Sequence, residues 1–168
     1  PGHRRMAVTL RPPKRPRAID VAMLGFALLV LLQLLVGALL VLHRAEVIET
    51  TRRAHPEWAG AAVEQTANGT VYGGLAVHLV LAVLYAWLGL RCRDGSVAAR
   101  SIASVLFVLG IAAGLGFVGS ASAVLPNEVP YVIGEQVVST LLRLGTLLLL
   151  WVPPEARTFF ARRPTPAS

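Results

Sequence analysis

The stretch 21-VAMLGFALLVLLQLLVGALLVL-42 decides the class of this protein. It is 22 residues long, and only Gln33 in it is strongly polar. As a helix it would rise about 33 Å, enough to cross a hydrocarbon core of about 30 Å. Just before it stand Arg11, Lys14, Arg15 and Arg17, with Arg4 and Arg5 further back. An apolar span preceded by dense positive charge predicts an integral membrane protein with that charge on the cytoplasmic side. A cleaved secretory signal has a core of only about 7–15 residues and a small-residue cleavage site. No A-x-A follows Leu42, so the span is read as a retained helix. The chain opens on Pro1 rather than Met, which leaves a truncated start or a start at Met6 as the two expectations.

Composition agrees. Hydrophobic residues make up 55% and charged residues 15%, where a soluble domain would carry about 25% charge. A net charge of +7 would suggest nucleic acid as a partner in a soluble protein. Here the basic residues flank apolar spans, and no nucleic-acid-binding signature is present. Their expected partner is the bilayer, through anionic headgroups. Cys92 is the single cysteine, which excludes an intrachain disulfide. Fifteen of the sixteen basic residues are arginine, a bias usual in GC-rich bacterial genomes. The expected location is a bacterial inner (plasma) membrane.

The chain then divides by its breakers and charges. Residues 1–18 form a basic tail containing Pro12, Pro13 and Pro16. Four spans are expected, over about 19–42, 71–90, 101–125 and 131–152, followed by an interfacial tail over 153–168. In the first loop, a short extracytoplasmic helix is expected from Pro56 to Ala67, with Asn68-Gly69 as the turn into the second span. Pro126 to Pro130 is expected to be a loop, and Pro153-Pro154 to stop the fourth span. The fold class is therefore all-α, a four-transmembrane-helix bundle. The amino-terminal tail carries six Lys or Arg, the second loop three and the carboxyl tail three, against three in the first loop and none in the third. Both termini should be cytoplasmic.

The turn between the second and third spans, from Trp87 through Arg91-Cys92-Arg93-Asp94-Gly95 to Ala99-Arg100-Ser101-Ile102-Ala103, resembles a pattern in small actinobacterial membrane proteins of unknown function. A basic Pro-containing start, a proline-led helix in the first loop, and Leu150-Trp151-Val152-Pro153 before Phe159-Phe160 extend the resemblance. Val97-Ala98 stands where that family usually has Trp before Ala-Arg. The resemblance implies the four-helix fold and carries over no activity and no catalytic residue.

Chemistry concentrates on the fourth span. Glu135, Gln136, Ser139, Thr140, Arg143 and Thr146 fall within an arc of about 140° at about 100° per residue. Such one-sidedness predicts a face turned to protein or water. Arg143 stands near mid-span, where an arginine costs at least about 2.5–3.5 kcal/mol on insertion scales. Counting depth nominates Glu135, Gln136, His78 and Gln33 as members of one polar network with it. Two readings follow: a network that fixes helix register, or a site for a polar or anionic ligand or an ion path. On the third span Gly110 and Gly114 form G-x-x-x-G, and Gly116 with Ser120 repeats the spacing, which predicts close helix packing.

Other constellations are thin. His43 and His78 are the only helical candidates for haem ligation, at different depths; His43 and His55 could meet loop glutamates around a divalent ion. Cys92 lies between two arginines. No nucleophile, metal-protease or phosphate-loop motif occurs, so no cofactor and no catalysis are expected. The functional expectation is a non-enzymatic structural or accessory subunit of a membrane assembly, as a homo-oligomer or in a larger complex. The alternative is a small oligomeric transporter- or channel-like protein built on Arg143.

Overall fold

A computed structural model describes residues 15–124 and 129–161, with side-chain surroundings for all of these except 115–124 and 129–133. It is all-α, with no strand among the described residues. Helix α1 is Arg17–Leu42, α2 Arg44–Ala54, α3 Gly60–Arg93, α4 Val97–Val124, α5 Val129–Trp151 and α6 Pro154–Ala161. Three helices are long and apolar enough to cross a membrane, and a fourth qualifies if α5 and α6, bent by 68°, count as one broken span.

Pro16 precedes α1 in extended conformation, and Asp20 lies in the first turn, where a carboxylate suits the positive helix end. The buried positions of α1 include Ile19, Ala22, Phe26, Leu29, Gln33 and Gly37. Their three- and four-residue spacing forms one seam. Leu24, Leu28, Leu31 and Leu35 point outward and are exposed. A soluble helix would place polar residues there; the leucine on this face suits a lipid surround.

α1 packs along α3 on one side and α5 on the other, and α4 packs against both α3 and α5. The core lies toward the end that carries the start of α1 and the α3–α4 turn. Phe26 and Phe107 have ring centroids 5.5 Å apart, and Tyr85 and Phe107 5.9 Å. Gly25 and Gly89 let neighbours come close: a Cβ at 25 would overlap Thr146, and one at 89 would lie 3.0 Å from Met23. Gly95, at φ 80°, makes the left-handed turn that ends α3. Ser96 Oγ then accepts the Ala99 N–H at 3.2 Å and opens α4.

Three expectations about boundaries are corrected. First, the helix expected from Pro56 begins at Gly60, and residues 60–67 are the start of the long α3 rather than a separate short helix. The short helix of this region is α2, directly after a break at His43, and residues 55–59 form the turn, with the His55 ring stacked 3.8 Å from Trp58. Second, Asn68-Gly69 is not a loop. α3 runs through it for 34 residues, because Asn68 Oδ1 accepts Arg44 Nε at 2.7 Å while Val63, Ala67 and Val71 bury against α2. Tertiary contact there outweighs a helix penalty of about 1 kcal/mol at glycine. Third, α4 begins at Val97 and α5 at Val129, so Pro130 belongs to the helix, in its first turn where no N–H is needed. The short helix expected in the carboxyl tail is α6. The tail 1–14, the loop 125–128 and residues 162–168 lie outside the described residues.

Candidate functional site

The polar arc of α5 does turn toward protein. Ser139, Arg143 and Thr146 are buried, Glu135, Gln136 and Thr140 are half-buried, and Val137, Val138, Leu141, Leu144 and Leu148 are exposed. The hydroxyls are satisfied within the helix: Thr146 Oγ1 donates to Leu142 O at 2.7 Å and Ser139 Oγ to Gln136 O at 3.2 Å. Such back-bonding lets Ser and Thr sit in a span without an outside partner.

Arg143 is 7% exposed and lies against α4 at Gly110. A Cβ built on Gly110 would fall 3.1 Å from the guanidinium carbon and from Nη1. One turn further along α4, a Cβ on Gly114 would overlap Gln136 Oε1. The G-x-x-x-G pair was expected to bring helix backbones together. It instead leaves two berths on α4 that polar side chains of α5 fill. Gly116 and Ser120 belong to α4, but their surroundings lie outside the described side chains.

The single polar network does not form among the described residues. Gln33, 2% exposed, meets His78 with Oε1 2.7 Å from Nδ1, joining α1 to α3. Arg143 makes no ion pair with Glu135 or with any other described carboxylate. Glu135 instead lines a groove between α5 and α1 with His43 and Val47. Arg143 Nε and Gln136 Oε1 are buried without a hydrogen-bond partner among the described residues. A buried guanidinium nitrogen with no acceptor among the described residues can still donate to a carboxylate or another anion.

A second arginine site was not foreseen. Arg100, also 7% exposed, stacks its guanidinium 3.5 Å from the Trp151 ring centroid and 4.8 Å from that of Phe160. Trp151 Nε1 donates to Ser104 Oγ at 2.8 Å, and Ser104 Oγ donates to Arg100 O at 2.8 Å. Arg157 Nε donates to the last carbonyl of α5, Trp151 O, at 3.0 Å, and Nη2 to the next, Val152 O, at 3.3 Å. These contacts close α6 back over the α3–α4 turn, where Phe159 covers Gly95. In sequence, Arg100 counted as a topology charge and as part of the Ala99-Arg100 resemblance; the bend at Pro153-Pro154 that brings Phe160 onto it has no direction in a sequence pattern.

His43 Nδ1, at the break between α1 and α2, is 2.9 Å from Leu39 O, so His43 and His78 are both engaged by neighbours. His55 lies 3.6 Å from Glu57 on the turn. Cys92 is fully buried. Among the described residues no three His, Cys, Asp or Glu groups gather. Comparison with family models, curated proteins and solved structures finds no match.

Proposed function

We propose that this chain is a four-span bacterial inner-membrane protein, both termini cytoplasmic, acting as a non-enzymatic accessory or structural subunit of a membrane assembly. The supporting observation is the hairpin of α2 and the first third of α3. A connection between antiparallel helices needs only about 2–8 residues. Here α3 alone is about 51 Å long, roughly 20 Å more than a hydrocarbon core. Arg44–Asn68 and the burial of Val63 and Ala67 hold the excess as a paired helical arm. Ordering a connection that could be short makes sense when the arm presents a surface to a partner. Its extracytoplasmic side follows from the arginine count. The resemblance to small actinobacterial four-helix proteins belongs to the same reading.

The test is native electrophoresis of gently extracted membranes. The wild-type chain should migrate in an assembly larger than itself, and Trp58→Ala with Glu64→Arg on the exposed arm should release it without lowering its melting temperature. Migration as the bare chain in both cases overturns the proposal. A second reading, a small oligomeric transporter- or channel-like protein, is favoured by the unpartnered Arg143 Nε and Gln136 Oε1. Anion flux into proteoliposomes that Arg143→Met abolishes would establish it in place of the first.

A further inference from the structure

A wide groove among the described residues lies between α1 and α3, at the end where α1 begins and α3 ends. Its volume is about 690 Å³, inside the range of about 300–1,000 Å³ typical of small-molecule sites. Its walls are apolar, formed by Met23, Phe26, Val30 and Leu31 of α1 with Ala86 and Leu90 of α3. Charge appears only at its mouth, where Arg15, Asp20 and Arg93 stand. All three are exposed, and none forms an ion pair among the described residues. From Asp20 to Leu31 the groove follows α1 for about 16 Å. One leaflet of hydrocarbon is about 15 Å deep, half of about 30 Å. The groove therefore has the length of one leaflet, with its ions at headgroup level.

We propose that this groove binds one phospholipid carrying an amine headgroup, phosphatidylethanolamine in its chemistry. The phosphate takes Arg15 and Arg93, the ammonium takes Asp20, and an acyl chain lies along Met23, Phe26 and Leu31. A phosphate alone would suit the two arginines and leave Asp20 facing a like charge. A phosphate with a tethered ammonium satisfies all three groups. The groove between α1 and α5 provides the contrast: it is also apolar, but Glu135 and His43 are its polar residues and it has no arginine.

The proposal rests on the membrane-spanning reading and is independent of any partner protein, so a missing assembly leaves it standing. The experiment is native mass spectrometry of the full chain in detergent, with phosphatidylethanolamine or phosphatidylglycerol of identical acyl chains added. The wild-type protein should retain one phosphatidylethanolamine, about tenfold more tightly than phosphatidylglycerol. Arg15→Ala with Arg93→Ala should lose both lipids. Asp20→Asn should keep a phospholipid but lose the preference. Ala27→Trp fills the groove from its exposed lip, leaves the core untouched, and should lose both lipids at an unchanged melting temperature. Equal retention of the two lipids, or retention unaffected by Ala27→Trp, overturns the proposal. So does lipid that binds only after residues 1–14 are removed, because the groove is then filled by the chain itself.

Discussion

At the scale of single residues, the glycines of α4 matter for what they leave room for. Gly110 and Gly114 face Arg143 and Gln136, so a side chain at either position must displace a polar group already buried. Gly110→Leu should lower stability in detergent by about 1–3 kcal/mol, the usual cost of overpacking. In an Arg143→Ala background the berth is empty and the leucine can enter it, so the double variant should be more stable than the sum of the single losses by about 0.5–3 kcal/mol. Arg143→Met and Glu135→Gln should instead add to within about 0.3–0.5 kcal/mol, since the two groups form no pair. Thermal melts of the wild-type chain and the six variants decide both cases; coupling between 135 and 143 would place the carboxylate beside the guanidinium after all. The sequence made the α5 arc legible because about 100° per residue fixes which residues share a face. It could not name the partner of Arg143. Depth counting gives height along the bundle but not the azimuth of a residue on another helix, and Glu135, about 12 Å from Arg143 along α5, faces α1 while Arg143 faces α4.

The Arg100 site makes a prediction of the same scale with a different mechanism. Its guanidinium carbon lies 3.5 Å from the Trp151 ring centroid, so a lysine ammonium should not fully substitute for it. Arg100→Lys should cost about 0.5–2 kcal/mol and shift Trp151 emission in a Trp58→Phe, Trp87→Phe background. Wild-type emission and melting in Arg100→Lys would mean that the stacking contributes nothing.

At the scale of elements, α3 is where pattern reading and structure part most clearly. The apolar window of α3 was legible, and so was its end at the Arg-Cys-Arg-Asp-Gly turn, because glycine at φ 80° and flanking cations are local signals. Its beginning was not. Asn-Gly is a turn signal by local propensity, worth about 1 kcal/mol, and Arg44 is 24 positions away in the chain. A one-turn pattern cannot contain such a contact. The continuous helix predicts that the amides of Asn68, Gly69 and Thr70 exchange slowly with deuterium. Arg44→Ala should speed them locally while leaving Tyr85 to Leu90 protected, because the arm frays before the membrane part. Fast exchange at 68–70 in the wild-type chain would restore the loop.

At the scale of the whole molecule, the fold presents leucine and valine outward along every long helix and gathers arginine at the ends. That inversion was legible in the first span alone, and it needs only composition and length. What it leaves to experiment is which way the molecule points, and the exposed residues of the structure supply the probes. Glu57 lies on the turn between α2 and α3, Ala161 ends α6, and both are exposed. The native thiol, Cys92, is fully buried and should stay silent toward a membrane-impermeant maleimide while the chain is folded. In the four-span reading, twelve of the sixteen basic residues belong to the two tails and the segment joining α3 to α4, so the arm should face outward. In intact cells Glu57→Cys should therefore label and Ala161→Cys should label only after lysis. The opposite pattern would invert the protein, put the arm in the cytoplasm and make its partner a cytoplasmic one. Labelling of both in intact cells would remove one crossing, and the bend of 68° between α5 and α6 would then mark a re-entrant segment rather than the end of a span.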